Sequence, residues 1–554
     1  MKPNLFTFNG GVHPAGHKAE SCSTPIRGMP PLPRYVVPMR QHIGEPARPA
    51  VAVGDRVLRG EVIGAAEGYV STAVHAPTSG RVVAIEASAV PHPSGLFDLA
   101  VVIEADGEDQ AIAFQPLDWR SLDPSALRNR MRDLGLAGLG GAVFPSYIKL
   151  NPGGQNIHTL ILNGAECEPW ITCDDRLMRE RAPELMRGIE IMQHALGAGL
   201  RKPRVIIGIE DNKPEALAAM REAAPAEIEV VAVPTMYPGG GGKQLTYTLT
   251  GVETPTGGRS TDVGIQVFNV GTAYSLYRAV ELGEPLISRI VTVTGHIAQP
   301  GNFEVRIGTP LADLIAAAGG MLPGASGEIV GGPMMGFDLM DLAAPVTKAV
   351  NCLIIKNPAL FPPKPIELPC IRCGECARAC PADLQPFEMY WYSRAKNFGH
   401  AQSYNLFDCI ECGCCSYVCP SHIPLVDYFR FAKSEIWERE RDKRAADLAR
   451  TRHEFKAYRL EREKQEKAEK FAKAAEKSKS AATGATDAAA PADPDAEKKK
   501  AILQAALERA QKAKAQVAPK NTDNLPPRVQ KEIDEIEARR ASVEAKTEST
   551  PNHE

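Results

Sequence analysis

Apolar and polar positions change rhythm several times along this chain. Residues 51–86, VAVGDRVLRGEVIGAAEGYVSTAVHAPTSGRVVAIE, give short apolar alternations broken by Gly-Asp, Arg-Gly and Ser-Gly, the pattern of hairpins joined by tight turns. From 117 to 284, helical periods alternate with short β-rich runs such as HTLILN (158–163) and RVIIGI (204–209), which predicts a layered α/β unit. Residues 290–320 predict a strand, a Pro-Gly turn, a second strand and a short apolar helix. After Lys433 the chain is rich in Ala, Lys, Glu and Arg with few core formers, which predicts a solvated helix. ATGATDAAAPADPDA (482–496) reads as low-complexity linker, and the remainder as charged helix or disorder.

Composition narrows the class. With 554 residues, 44% of them hydrophobic, the chain is long enough for several domains, each with its own core. A formal charge of −3 argues against a nucleic-acid binder, which carries a basic excess on its binding face. The opening stretch MKPNLFTFNGGVHPAG lacks the uninterrupted apolar core of a secretory signal. No apolar run reaches the roughly 18 to 20 residues that a spanning helix needs. The expectation is a cytosolic setting, where thiols stay reduced and thirteen cysteines do not form a disulfide framework.

Eight of those thirteen hold matching positions in a repeat, CIRCGECARACP from Cys370 to Pro381 and CIECGCCSYVCP from Cys409 to Pro420, the second copy carrying a ninth. Cys370, Cys373, Cys376 and Cys380 hold the same offsets as Cys409, Cys412, Cys415 and Cys419. C-x2-C-x2-C-x3-C-P is the signature of bacterial two-cluster ferredoxins, whose fourth cysteine ligates the other cluster. Structural zinc pairs two C-x2–4-C knuckles across a longer gap, and neither copy has that form. The repeat therefore predicts two [4Fe–4S] clusters, one on Cys370, Cys373, Cys376 and Cys419, the other on Cys409, Cys412, Cys415 and Cys380. Cys414 is an extra thiol, a bystander or a competitor for the neighbouring ligand position. Cys22, Cys173 and Cys352 have no usable spacing.

An electron source must lie elsewhere in the chain. GLGGAVFPSYIK (138–149) is glycine-rich, which lets backbone N–H groups approach a phosphate, although glycines serve turns as often. The apolar strand HTLIL then ends in NGAECEP (163–169), and polar groups at the carboxyl end of a strand in an open α/β sheet are where ligands bind. Together these stretches resemble the flavin- and NADH-binding 51-kDa family of respiratory complex I, with its G-R-G-G-A-G-F-P-x-x-x-K and N-A-D-E-x-E-P signatures. The resemblance implies that Gly138, Gly140, Lys149, Asn163 and Glu166 line a non-covalent FMN, with Asn269 of FNVGT (268–272) nearby. It also implies that Phe144 and Glu168 face NADH. The family arginine is here Leu139, its aspartate is Ala165, and its paired glutamates are replaced by Gly241 and Gly242 in YPGGGGKQL (237–245).

Two further stretches carry fold resemblances. Residues 51–86 resemble the barrel-sandwich hybrid of biotinyl and lipoyl domains, but without any lysine to modify, so a structural cap is expected. Residues 290–320 resemble the β-grasp-like SLBB module. The expected organisation is multidomain α/β and α+β: barrel-sandwich hybrid 36–110, flavin domain 115–285, SLBB domain 286–350, two-[4Fe–4S] ferredoxin domain 365–432 and charged tail 433–554.

That order, with HAPTSG (75–80), FPSYIKL (144–150), GGKQL (241–245), GGRSTDVG (257–264) and NVGTAY (269–274), is similar to the C-subunit family of the Rnf (Rsx) ion-translocating electron transport complex. The resemblance implies an oxidoreductase component at the cytoplasmic face of the bacterial inner membrane, taking electrons from NADH through FMN to the clusters. Its implied partners are the membrane-embedded A, D, E and G proteins of that complex, its iron–sulfur B protein, and ferredoxin through the complex. Electron transfer between NADH and ferredoxin would be coupled there to H+ or Na+ movement. Two other readings compete: an electron-carrying adaptor whose flavin-like domain has no nucleotide site, and a soluble NADH dehydrogenase acting alone.

Overall fold

The structure, a computed structural model, describes residues 5–151, 153–197, 202–482 and a few positions between 501 and 509. The expected linker beyond Ala482 and most of the expected tail lie outside the described residues. Two compact units are present, Met1–Ala445 and Ala446–Glu554.

The hairpin-rich N-terminal region folds as two small antiparallel sheets. Arg34–Pro38, Phe97–Ala105, Gly80–Ala89 and Arg56–Val57 lie side by side in that order, and Arg48–Pro49, Val62–Ala65 and Val74–His75 form the second sheet. Val37, Val57, Ile63, Val82 and Ile103 are fully buried, and in Phe97–Ala105 the four consecutive residues Ala100 to Ile103 are all buried, so that central strand is covered on both faces.

The α/β unit carries a four-stranded, fully parallel sheet in the order Ile228–Val233, Arg204–Glu210, Thr159–Gly164, Ile265–Asn269. Helices Ala182–Leu196 and Val270–Glu281 contribute Leu185, Ile189, Met192, Leu276 and Val280 to its main core. The expected strand–turn–strand–helix follows as Ser288–Gly295, Gly301–Arg306 and Leu311–Ala317. Its six-stranded sheet also recruits Arg27–Gly28, which pairs parallel to Gly301–Arg306. That recruitment gives an otherwise patternless N-terminal segment a fixed path.

The ferredoxin-like region buries Met389, Tyr390, Phe398, Leu406 and Phe429 around short helices. The charged helix begins earlier than its composition suggests, at Leu425, and runs to Ala482. Its first turns bury Leu425, Val426, Phe429 and Ala432 in this core, whereas every residue from Trp437 to Lys477 is exposed. No described helix is long and apolar enough to cross a membrane.

One polar contact ties three of these regions together. Lys348 is 1% exposed and donates Nζ to the carbonyl oxygens of Ala73 at 3.3 Å and Gly135 at 2.7 Å, with no carboxylate among its hydrogen-bond partners. Burial pushes its ammonium down to about 7 from an ordinary 10.5. Burial likewise pushes neighbouring His75 down to about 3 and holds His42 below its usual range, so both imidazoles are neutral above pH 7. Between pH 7 and 10.5 the unfolded chain thus holds a lysine proton that the folded chain has released, and stability rises with pH there. The slope from this one group is at most about 1.4 kcal/mol per pH unit. The expected result is a thermal midpoint that climbs from pH 7 to pH 9 in the native chain and climbs less in Lys348→Met. Equal slopes in both proteins would show that Lys348 does not supply the effect.

Candidate functional site

The parallel sheet winds outward from Thr159–Gly164 through Arg204–Glu210 to Ile228–Val233, then returns to the opposite side with Ile265–Asn269. The strand order reverses between Thr159–Gly164 and Ile265–Asn269, and crevices at such reversals, outside the carboxyl ends, are where open α/β sheets bind ligands. Asn163 and Asn269 sit opposite each other in register at this point. Asn163 accepts from the N–H of Ala165 at 3.1 Å and donates to the carbonyl of Gly240 at 2.8 Å. Asn269 caps helix Val270–Glu281 by accepting from Thr272 N–H, and donates Nδ2 to Asp174 Oδ2 at 2.6 Å.

The glycine-rich loop lies over Asn269. Gly138 N–H closes the loop by donating to Phe144 carbonyl at 2.9 Å, and Leu139 N–H donates to Thr272 Oγ at 3.0 Å. A Cβ on Gly140 would stand 2.8 Å from the Asn269 Cβ, so only glycine lets the loop approach this closely. Gly140, Gly141 and Ala142 are exposed, leaving their backbone open above a helix N-terminus. Phe144 is half-buried. Lys149 donates to the carbonyl of Val267 at 2.5 Å with Nζ 4.4 Å from the Phe268 ring centre, and burial pushes it down to about 8. An open backbone loop, a helix N-terminus, one cation and two carboxamides form a donor set that fits a flavin phosphate and ring.

Glu166 is 8% exposed and grips the start of helix Cys173–Glu180, accepting from Asp174 N–H at 2.8 Å and Asp175 N–H at 3.4 Å. Burial pushes its carboxyl up to about 7 and also raises Asp174. Carboxylate oxygens of Glu166 and Asp174 and the Cys173 Sγ lie within 4.8 Å of one another. Glu168 points elsewhere. It accepts from the N–H groups of Met334 at 2.7 Å and Met335 at 3.1 Å, and so anchors a loop of the neighbouring domain. A pocket touches the site at Leu139, Asp174, Gly271 and Arg289, yet none of the eight residues expected at FMN or NADH lines it.

The cysteines gather into two groups. One cavity is lined by Cys370, Cys373, Cys376 and Cys419. A second is lined by Cys380, Cys409, Cys412 and Cys415. Each holds three thiols of one run and the fourth of the other, and four convergent thiols suit a [4Fe–4S] cube. Cys373 is exposed, while Cys412 and Cys415 are buried. Cys414 lines neither cavity; its thiol is buried toward the Tyr237 carbonyl, 4.0 Å away.

Comparison with known proteins places this architecture. Residues 6–108 match the family model described as the RnfC barrel sandwich hybrid domain, 131–278 the Nuo51 FMN-binding domain, 290–338 the SLBB domain and 369–423 the 4Fe-4S dicluster domain. The C subunit of the ion-translocating oxidoreductase complex of Salmonella gallinarum is 48% identical over 84% of this chain and 69% of its own length. The chain belongs to this C-subunit family. The Citrobacter koseri relative of the same name is 47% identical over 84% of this chain, which spans just under two thirds (66%) of that relative. A solved NAD+-reducing [NiFe]-hydrogenase, H2-reduced, is 18% identical with a TM-score of 0.40 over 58% of this chain and 63% of its own, too distant a likeness to support a functional statement.

Several residues of this family member's site are invisible to motif reading. Lys18 donates to the carbonyls of Glu166, Glu168 and Ile171 at 2.7, 2.9 and 2.6 Å. Arg289 is buried with its guanidinium on the carbonyls of Leu139, Ile290 and Lys348. Asp174 follows NGAECEP closely enough that a search for carboxylates near the strand end could have found it; Lys18 and Arg289 have no local signal.

Two outcomes are expected. Cys380→Ala should abolish the electron paramagnetic resonance signal lost in Cys409→Ala and spare the one lost in Cys370→Ala; a match to Cys370→Ala instead would mean uncrossed ligation. Lys149→Met should weaken FMN binding about tenfold, the loss of one charged donor, measured as flavin retained per chain after dialysis.

Proposed function

We propose that this chain is the NADH-oxidising component of a membrane-bound, ion-translocating complex, peripheral on the cytoplasmic face of the bacterial inner membrane. In this reading the loop 138–144, Lys149, Asn163 and Asn269 hold FMN non-covalently, and the two four-cysteine cavities each hold a [4Fe–4S] cluster. Bound flavin supplies the conversion between a two-electron hydride donor and one-electron acceptors. The chain's own groups do the rest. The glycine loop and the capped N-terminus of Val270–Glu281 offer N–H groups to the phosphate, and Lys149 offers a positive charge. Glu166, whose carboxyl titrates near neutrality, can hold or give up a proton beside the strand end. Electrons then leave through the A, D, E, G and B proteins of the complex toward ferredoxin, with H+ or Na+ moved in exchange.

The observation that carries the reading is the pairing of a strand-order reversal, lined by Asn163 and Asn269, with two cavities of four thiols each in one chain. The adaptor reading has support of its own. Glu168 is committed to Met334 and Met335, and Gly241 and Gly242 offer no carboxylates to a nucleotide. Anaerobic titration of the flavin-loaded chain with NADH separates the two: bleaching of the flavin band near one equivalent is expected, and an adaptor leaves the band intact. For attachment, high salt or alkaline carbonate should release the chain from membranes, followed by immunoblot of both fractions; retention after both treatments contradicts a peripheral mode.

A further inference from the structure

The segment from Tyr237 to Gln244 grips both cysteine runs at one and the same cavity. Tyr237 is 3% exposed and donates its hydroxyl to the carbonyl of Cys412 at 2.6 Å. Gln244 is 5% exposed and donates Nε2 to the carbonyl of Pro381, the residue after Cys380, at 3.2 Å. Cys412 and Cys380 come from different runs but line the same cavity. The N-terminal segment extends the grip. Val12 and Tyr237 exchange two backbone hydrogen bonds, and Gly11 N–H donates to the carbonyl of Ala379 at 3.0 Å. Among the described residues no hydrogen bond from 237–244 reaches the thiol or backbone of Cys370, Cys373, Cys376 or Cys419.

We propose that Tyr237 and Gln244 are positioning residues that hold Cys380 and Cys412 at the separation a cluster in this cavity needs, so that the flavin-domain segment braces the site from behind the loops that line it. The proposal rests on the reading that the cavity takes a [4Fe–4S] cluster. Cys409, Cys412 and Cys415 share one short loop and converge by themselves, whereas Cys380 arrives on a separate loop. Both donors act on backbone beside a ligand, which fixes where the ligand stands without competing for its sulfur. The tight fit of the segment follows from its glycines. A Cβ on Gly240 would overlap the Ala165 carbonyl, so the chain can run this close to the strand end only without a side chain.

The test uses the full chain, purified anaerobically with its clusters and flavin, as Tyr237→Phe, Gln244→Met and the double variant. The measurements are iron and sulfide content, the paramagnetic resonance and redox midpoint of each dithionite-reduced cluster, and the rate of cluster loss to an iron chelator. The double variant should lose the cluster on Cys380, Cys409, Cys412 and Cys415 about tenfold faster than native, as two removed hydrogen bonds imply. The midpoint of that cluster should shift as well. The other cluster and bound FMN should behave as in the native chain, and each single variant should show a smaller effect of the same kind. Native rates and midpoints at both clusters would overturn the proposal. Equal acceleration at both would also overturn it, since that is general loosening. None of these readouts uses NADH, so a chain that fails to oxidise NADH still gives a decision. A native chain without a cluster on the second run would overturn both the cluster reading and the proposal.

Discussion

Much of the carboxyl edge of the parallel sheet is organised by one ammonium group from far upstream. Lys18 reaches the carbonyls of Glu166, Glu168 and Ile171, three acceptors on one turn near a buried acidic cluster, and Lys213 adds a second, longer contact to the Glu166 carbonyl at 3.4 Å. A buried carbonyl without a donor costs about 1–3 kcal/mol, so the turn has little freedom once Lys18 is seated. His17 stacks on Trp170 at 4.3 Å, and Trp170 N–H donates to the carbonyl of Gly16, which locks the same two segments a second time. With the turn fixed, Glu166 can face inward to the helix start while Glu168 faces outward to Met334 and Met335. Two carboxylates two residues apart thereby serve different domains.

Departures from the complex I pattern have physical counterparts in the structure. Leu139 stands where that family has arginine, and it is buried with its backbone N–H on Thr272 and its carbonyl under the Arg289 guanidinium. A positive charge is therefore still present beneath the loop, supplied by a different strand. Gly241 and Gly242 replace a pair of glutamates; Gly242 opens a helix, and the Gln244 amide occupies the space a Cβ on Gly241 would need. Open space lies beside Gly242, and the amide that fills the space beside Gly241 is the one that donates to the Pro381 carbonyl.

The parts of this molecule that can be read from sequence are those whose signal is local. The cysteine offsets, the alternation of HTLILN and RVIIGI with helical periods, and the strand–turn–strand–helix after 288 each occupy a short window and appear as such in the fold. The grouping of Cys380 with the second run follows from a signature with the same offsets in both copies, and the cavities gather the thiols in that way. Lys18, Arg289, Lys348 and Tyr237 could not be found like this. Each acts on a carbonyl more than a hundred residues away, and a carbonyl has no residue identity for a motif to record. The charged helix shows the opposite failure: its composition marks where solvent exposure begins, near Trp437, and conceals the earlier start at Leu425 inside the core.

The unequal burial of the two thiol groups has a chemical consequence. Cys373 is exposed and sits beside Ile371, 67% exposed, and Arg372, so solvent reaches the first cavity at its rim. Cys412 and Cys415 are sealed behind Tyr237, Met334 and the helix that begins at Leu425. An oxidant diffusing from water meets Cys373 before it meets the half-buried Cys380 and Cys409, and well before it meets Cys412 or Cys415. Damage by dioxygen or peroxide would then proceed from the outside inward, and the thiols nearest the flavin-binding unit would be the last to be lost.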